Sequence, residues 1–181
     1  MLRGGVRLIQ YRAKAKLDRD VVRRLHRRTS REGALLIVND DLDAAADADG
    51  VHLGQEDLAA LGTADIRGCL PGKVLGISCG VPAEAEAAER LHADYVGVGP
   101  FARTSSKDDA GPAIGALGVA RVVRAVPRLP VAAIGGIHGD NLGDVAATGA
   151  QMAAVLSALS HSGDPEAAAR DLVRRWAHAR A

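Results

Sequence analysis

The stretch "QYRAK" at residues 10–14 combines an amide and two cationic side chains at a spacing that suits anion binding. In an extended strand alternate side chains share a face, so Gln10, Arg12 and Lys14 point one way and Tyr11 the other. Two cations and an amide at the end of a strand form an anion receptor. The alternative is an ordinary solvated rim of basic side chains.

The acidic run "NDDLDAAADADGVHLGQED" at 39–57 divides into two groups. Asn39 and Asp40 end one predicted strand, and Asp57 follows the next strand, where alternation places it on the face of Gln55. Because neighbouring strands lie ~4.8 Å apart, Asp40 and Asp57 are predicted to stand side by side and share one Mg²⁺ ion. Without other information, two unrelated surface acids would be the simpler interpretation. Four further acids are predicted to face solvent: Asp41, Asp43, Asp47 and Asp49.

The loop "FARTSSKDDAGPAIGA" at 101–116 offers hydroxyls from Thr104, Ser105 and Ser106 and the ammonium of Lys107. Such a loop can close over a phosphorylated ligand and exclude water; a disordered Ser-rich loop is the alternative. "AIGGI" at 133–137 and "LSALSHSG" at 156–163 follow the last two predicted strands, where barrels often bind phosphate through backbone N–H groups. His52 alternates with apolar neighbours and is predicted as a packed wall residue rather than a catalyst.

Short runs rich in Val, Ile and Leu alternate with amphipathic stretches along the whole chain. The runs, predicted as strands, are 6–12, 34–39, 50–55, 74–79, 95–100, 131–137 and 152–157. Apolar strands alternating with helices indicate βα units around a parallel sheet, and polar residues at the strand ends favour a barrel. Asp164 is predicted to cap the last helix, with Pro165 in its first turn.

Seven predicted strands are one fewer than the (βα)8 barrel requires. The beginning "MLRGGVRLIQ" reads as the tail of a helix that runs into a strand. We therefore predict one TIM (βα)8-type barrel domain over residues 1–181, truncated at the N-terminus and lacking the first strand and most of the first helix. Unpaired strand edges would favour a homo-oligomer.

Composition excludes several classes of function. The formal net charge of +1 provides no strong field for nucleic acid or an anionic membrane, and one Phe, one Trp and two Tyr cannot form a stacking platform. Small-molecule substrates are therefore the expected partners, with no nucleic acid and no membrane. Two cysteines without metal-ligand spacing indicate reduced thiols and a cytoplasmic location.

Taken together, "QYRAK", "LIVNDD", "ADGVHLGQEDL", "LGIS", "ADYVGVGPF…TSSK" and "AIGGI" resemble the thiamine-phosphate synthase family in content and order. The resemblance implies a (βα)8 transferase of thiamine biosynthesis. Its reaction would join 4-amino-2-methyl-5-(diphosphooxymethyl)pyrimidine to a thiazole phosphate, with Mg²⁺-assisted dissociative loss of pyrophosphate.

The resemblance also implies roles for individual residues. Asp40 and Asp57 would bind Mg²⁺, while Arg12, Lys14 and Lys107 would be catalytic through charge stabilisation. The pyrimidine diphosphate would be held by Gln10, Tyr11, Arg12, Ala13, Lys14, Asn39, Ser78 and Lys107. The thiazole phosphate would be held by Thr104, Ser105, Ser106, Gly135, Leu156 and Ser157. In one departure, "GAQMAAVLSA" at 149–158 replaces the family's more usual Gly-Ala-Asp-Gly-Val run.

Two alternatives compete with the synthase interpretation. A thiazole tautomerase of the same fold would bind a thiazole phosphate but would not need Asp57, or Lys107 together with both cations of "QYRAK". A truncated, non-catalytic remnant would retain ligands without turnover. The joint presence of the acids and the cations favours the synthase.

Overall fold

The chain forms a parallel α/β sheet in a computed structural model that describes residues 1–13, 16–62, 65–104 and 111–181. The strands are β1 (Leu8–Tyr11), β2 (Leu35–Asn39), β3 (Gly50–Leu53), β4 (Val74–Cys79), β5 (Tyr95–Val98), β6 (Val131–Ile134) and β7 (Met152–Ala154). The helices are α1 (Arg19–Arg31), α2 (Leu42–Ala45), α3 (Gln55–Leu61), α4 (Pro82–Arg90), α5 (Gly115–Ala125), α6 (Leu142–Ala147), α7 (Ser157–Ser160) and α8 (Pro165–Ala179).

Strand order confirms the predicted architecture. Each strand pairs in parallel with the next along the chain, from β1 to β7, in one curled sheet of the TIM type. Within the described ranges the sheet has seven strands, as predicted, and β1 and β7 are its edges. The first residues form a short 3₁₀ turn, Leu2–Gly4. Gly4 packs so closely on α8 that a Cβ there would lie 2.7 Å from the Cβ of Ala169.

The two faces of the strands have different compositions, which determines where the core and the polar residues lie. One face is apolar and fully buried against the helices; it includes Leu36, Val38, Val51, Leu53, Leu75, Ile77, Val96 and Val98. The alternate positions face the interior of the curled sheet, where Asn39 pairs in register with His52 and His52 with Gly76. Strand alternation therefore brings polar side chains from several strands to one interior surface.

A repeated side-chain contact ties the lower ends of the strands together. The residue just before β3, β5 and β7 accepts, through its side chain, a backbone N–H near the start of the preceding strand. Asp49 accepts from Leu36 at 2.7 Å, Asp94 from Leu75 at 2.7 Å and Gln151 from Val131 at 2.8 Å. Gln151 stands in the run that departs from the family pattern. Its amide oxygen makes the bond that a carboxylate makes at the other two positions, so the departure preserves this contact.

Several predicted element boundaries are wrong by a few residues. β3 ends at Leu53 and α3 begins at Gln55, β5 ends at Val98, and β6 and β7 end at Ile134 and Ala154. Asp164 caps α8 as predicted, accepting the N–H groups of Glu166 and Ala167 at 3.0 Å. No helix in the described part of the chain is both long enough and apolar enough to span a membrane.

Candidate active site

Asp40 lies directly after β2 in a conformation that few residues adopt. Its φ angle is +62°, in the left-handed region that Asp and Asn tolerate better than other side chains. Its backbone N–H donates to the carbonyl of His52 at 2.9 Å, and the Asn39 amide donates to its carboxylate. The turn after β2 is therefore held to β3.

Asp57 reaches the same place from a helix rather than from a strand. It is the third residue of α3, and its carboxylate accepts the N–H of Gly54, the residue before the helix, at 3.0 Å. The prediction that Asp57 shares a strand face with Gln55 is wrong, because the strand ends two residues before Gln55. The first turn of a helix favours acidic side chains, and this contact fixes the Asp57 carboxylate.

The two carboxyl groups lie within interaction distance, as the sequence predicts. The pKa of Asp40 is raised from 3.8 to about 6 by burial first, and then by a hydrogen bond to Asp57 and the negative charge of that group; Arg12 is near enough to oppose the shift. Two acids with one opposing guanidinium leave a concentration of negative charge. Across the described residues, no cluster of three or more His, Cys, Asp or Glu side chains could hold a metal; Asp40 and Asp57 form a pair rather than such a cluster.

The end of β1 borders the same place. Gln10 and Arg12 are exposed there, whereas Tyr11 on the opposite face packs against the hydrophobic core. Beyond this strand end lies an open cavity of about 510 Å³, whose lining includes Ala13, Asn39 and Asp40. Lys14 lies outside the described residues.

Lys16 is a cation that the sequence interpretation missed. It lines the same cavity as Asp40 and its side chain is exposed. The signal was present in the sequence, since "QYRAKAK" continues the alternation of Gln10, Arg12 and Lys14 by one more position. Lys16 lies beyond the end of β1, where that alternation gives no direct prediction.

Three of the four acids that were predicted to face solvent have partners, so that prediction is wrong for those three. Asp41 caps α2 through the N–H of Ala44 at 2.8 Å, and Asp47 binds Arg19 and Arg23 at 2.7 and 3.0 Å. Asp49 accepts the Leu36 N–H, as described above. Asp43 is exposed, as predicted. Local capping, pairing to α1 and the bond to β2 account for Asp41, Asp47 and Asp49 without a ligand.

Ser78 lies on the interior face of β4 and is bonded to a buried histidine. His52 contacts the Ser78 hydroxyl through Nε2 and the Tyr95 hydroxyl through Nδ1, each at 2.9 Å. Burial lowers the pKa of His52 to about 4 and raises the pKa of Tyr95, so both groups are neutral at neutral pH. His52 is a packed residue, as predicted, but its contact with Ser78 and the part played by Tyr95 were not foreseen.

Two glycines make room for these rings. A Cβ on Gly76 would lie 2.2 Å from Cζ of Tyr95 and 2.5 Å from Nδ1 of His52, and one on Gly97 would lie 3.0 Å from Cε1 of His52. Any side chain at position 76 would therefore displace one of the rings. The sequence shows these glycines within the strands, but only the register across β3, β4 and β5 shows what they accommodate.

The predicted phosphate end of the site brings together the loops after β5 and β6. Thr104 is half-buried in its loop. The backbone before it is bonded to the turn after β6, with the Ala102 N–H donating to the Gly135 carbonyl at 2.9 Å. Gly135 has a φ of +93°, and a Cβ there would lie 2.7 Å from the Cβ of Pro100. This close approach of protein to protein gives Gly135 a role besides the predicted access for a ligand.

The other predicted phosphate residues are placed only in part. Leu156 is exposed, and Ser157 begins α7, the helix that follows β7. Ser105, Ser106 and Lys107 lie outside the described residues.

Fold and site together define a class of protein: a (βα)-barrel enzyme with polar side chains gathered at the carboxyl ends of its strands. The model of the family described as thiamine monophosphate synthase matches residues 1–159. Thiamine-phosphate synthase of Archaeoglobus fulgidus is 46% identical over 177 residues, covering 95% of this chain and 81% of that protein. The enzyme of the same name from Moorella thermoacetica is 45% identical over 176 residues, covering 94% and 82%.

A solved structure gives the same result. Thiamine phosphate pyrophosphorylase from Pyrococcus furiosus superposes with a TM-score of 0.88 at 34% identity, covering 98% of this chain and 86% of that one. The chain belongs to the thiamine monophosphate synthase family.

Proposed function

We propose that this chain is a transferase that joins 4-amino-2-methyl-5-(diphosphooxymethyl)pyrimidine to a thiazole phosphate, releasing thiamine phosphate and pyrophosphate. The observation that carries the proposal is the convergence of Asp40, Asp57 and Arg12 at one end of the sheet in a chain of this family. The two carboxylates suit a metal ion and the guanidinium suits a phosphate, so together they suit a metal-bound diphosphate.

The carboxylate pair fits Mg²⁺. Its two hard oxygen donors lie close enough for the charge of Asp57 to raise the pKa of Asp40, and a cation between them would relieve that repulsion. Mg²⁺ usually takes only one or two carboxylates and fills its other positions with water and substrate phosphate. When bound, the ion would supply positive charge to the oxygens of the departing pyrophosphate.

The chain's own cations would act on the same leaving group. The carbon–oxygen bond between the pyrimidine methylene and the diphosphate breaks, and its electron pair leaves with pyrophosphate. The thiazole nitrogen then donates its lone pair to the methylene carbon and forms the new carbon–nitrogen bond. Arg12, with Lys14 and Lys107, would stabilise the growing negative charge more strongly in the transition state than in the ground state. Lys16, on the wall of the same cavity, is a further candidate for diphosphate binding.

The remaining family positions are assigned by substrate. Gln10, Asn39 and Ser78 would hold the pyrimidine, and the backbone at Tyr11 and Ala13 would border its diphosphate. The thiazole phosphate would lie between the loops after β5 and β6 and the start of α7. Its contacts would come from Thr104, Ser105, Ser106, Gly135, Leu156 and Ser157.

The test is synthesis of thiamine phosphate by the purified chain from both precursors. We expect turnover that needs both precursors and Mg²⁺ and that stops in EDTA. Conversion of the thiazole compound without pyrimidine or metal would instead support the tautomerase. Binding of either precursor without turnover would support the non-catalytic alternative.

The cellular location, the partners and the oligomeric state of the protein also stay predictions. We expect a cytoplasmic enzyme with small-molecule partners that forms a homo-oligomer through its sheet edges. Light scattering on the purified chain would measure its oligomeric state. A monomeric mass at working concentration would contradict the last expectation.

A further inference from the structure

A hydrogen-bonded row of three side chains lies on the interior face of the sheet, with one side chain each from β5, β3 and β4. It runs from the Tyr95 hydroxyl to Nδ1 of His52, and from Nε2 of His52 to the Ser78 hydroxyl, with 2.9 Å at both contacts. Tyr95 and His52 are buried, at 6% and 8% exposure, whereas Ser78 is half-buried. The row therefore leads from the sealed interior to a residue at the predicted pyrimidine site.

Donor and acceptor accounting determines which way the hydrogens point. A neutral imidazole carries one N–H, so one of its nitrogens donates and the other accepts. Within the described part of the chain, His52 is the one hydrogen-bonding partner of the Tyr95 hydroxyl. If Nδ1 carried the proton, the Tyr95 hydrogen would be buried without an acceptor, which costs about 1–3 kcal/mol. Tyr95 therefore donates to Nδ1, and the His52 proton lies on Nε2.

The position of the His52 proton on Nε2 also determines the role of the Ser78 hydroxyl. Its oxygen accepts the His52 Nε2–H, so its own hydrogen is directed elsewhere, and its side chain makes no second hydrogen bond to the described residues. Its backbone is also held, because the Gln55 amide donates to the Ser78 carbonyl. Ser78 is thus both oriented and set as a donor before any ligand arrives.

We propose that Tyr95 and His52 are positioning residues that set the Ser78 hydroxyl as a hydrogen-bond donor to an acceptor atom of the substrate, such as a pyrimidine ring nitrogen. The identity of that substrate rests on the proposed function; the direction of the hydrogen bonds does not. The opposite tautomer would make Ser78 donate to His52 and would leave only its lone pairs for the ligand. The row therefore selects ligands with an acceptor at this position and disfavours those with a donor.

A role for His52 as the base of a serine nucleophile fits the contacts less well. Its other nitrogen faces a neutral phenol rather than a carboxylate, so an imidazolium would have no negative hydrogen-bonding partner among the residues that the structure describes. Gly76 and Gly97 leave the space that the ring occupies, as described above. These contacts fit a fixed, neutral imidazole that orients a neighbour.

Nitrogen NMR on the unliganded protein tests the hydrogen-bond direction without any assay of activity. The chain has six histidines, and comparison with His52→Gln identifies the signals of His52. At pH 7.5 we expect the two-bond ¹H–¹⁵N pattern of the Nε2–H tautomer, with a shift towards a mixture of tautomers in Tyr95→Phe. An Nδ1–H pattern in the parent protein would overturn the proposal even if the chain is an active synthase.

A double-mutant cycle tests whether Tyr95 acts through Ser78. A net hydrogen bond contributes about 0.5–1.5 kcal/mol, so we expect Ser78→Ala to lower kcat/KM about threefold to tenfold. Tyr95→Phe should cost about threefold in the parent and less than twofold in Ser78→Ala, because its target is then absent. An equal loss in both backgrounds would show that Tyr95 serves only packing and would overturn the proposal.

A pair of histidine replacements provides the rescue control. The Gln amide can take the place of Nε2 and donate to Ser78, whereas the shorter Asn amide takes the place of Nδ1. We expect His52→Gln to retain more kcat/KM than His52→Asn at equal thermal stability. The reverse order would contradict donation from His52 to Ser78.

Discussion

Asp40→Asn should stabilise the metal-free protein while removing its activity. In the folded chain, burial and Asp57 raise the pKa of Asp40 to about 6 from 3.8. Since Asp40 is ionised at pH 7.5 in both the folded and the unfolded state, its raised pKa means that the folded state carries the charge less favourably. Removing the charge therefore increases the free energy of unfolding.

The magnitude follows from the size of the pKa shift. About two pKa units correspond to about 3 kcal/mol at 1.36 kcal/mol per unit. Burial of the carboxyl group is the largest cause of the shift, yet Asp40 as a whole residue is exposed. Solvent screening therefore reduces this value strongly, and we expect about 1 kcal/mol. For a chain of this length that gives a rise in Tm of about 2–4 °C. Asn is the right replacement because it tolerates the φ of +62°, whereas Ala there would cost about 1–2 kcal/mol.

The assay is thermal unfolding in EDTA and in Mg²⁺, beside the rate of thiamine phosphate formation. Binding of Mg²⁺ at ten times its Kd should stabilise the parent by about 1.4 kcal/mol, and Asp40→Asn should lose most of this response. Asp57→Asn should behave similarly, since its amide oxygen can still accept the Gly54 N–H. Glu56→Gln is the matched control: an exposed acid one residue from Asp57, expected to change neither stability nor turnover appreciably.

Two results would refute this reasoning. One is an Asp40→Asn protein that is less stable in EDTA than Glu56→Gln, because the carboxyl pair would then not be repulsive. The other is an Asp40→Asn protein that keeps the full Mg²⁺ response and full turnover, because the metal would then bind elsewhere.

Three further predictions address the cations, the strand ties and the interior histidine. Arg12→Lys keeps the charge but loses the two-pronged guanidinium contact, so KM for the pyrimidine diphosphate should rise about tenfold in initial-rate assays; an unchanged KM would place Arg12 outside the site. Asp94→Ala leaves the Leu75 N–H without its side-chain acceptor and should cost about 1–3 kcal/mol in urea unfolding, with kcat/KM within twofold of the parent. The pKa of His52 is lowered from 6.5 to about 4 in the folded state, so between these pH values the unfolded state binds one more proton than the folded state. The free energy of unfolding should therefore fall as the pH drops from 6.5 towards 4, by up to about 1.4 kcal/mol per pH unit. His52→Gln should flatten this slope in urea unfolding at several pH values, and an unchanged slope would assign it to other groups.

The sequence predicted the fold well because its signals are local and repeated. Alternating apolar strands and amphipathic helices are sufficient for a parallel sheet, and the predicted strand order is the observed one. The strand ends were predicted less well. Periodicity could not show that β3 stops at Leu53, because Gln55 and Asp57 continue the alternation by coincidence while lying on a helix.

The candidate site illustrates the same limit. Asp40 and Asp57 lie together as expected, but through a left-handed turn and a helix cap rather than through strand alternation. Tyr95 could not be assigned from the sequence, since its partner His52 is 43 residues away and the contact depends on the space that Gly76 and Gly97 leave for the rings. Gln151 could be recognised as a substitute for Asp only once the repeated strand ties were seen.

The most direct test of the carboxylate pair is the rate of pyrophosphate release, measured with thiamine phosphate formation while Mg²⁺ is titrated. We expect one pyrophosphate per thiamine phosphate, with saturable dependence on Mg²⁺ in the parent and in Glu56→Gln and almost no product in Asp40→Asn. Undiminished release in EDTA, or a normal Mg²⁺ response in Asp40→Asn, would contradict a metal-bound diphosphate at Asp40 and Asp57.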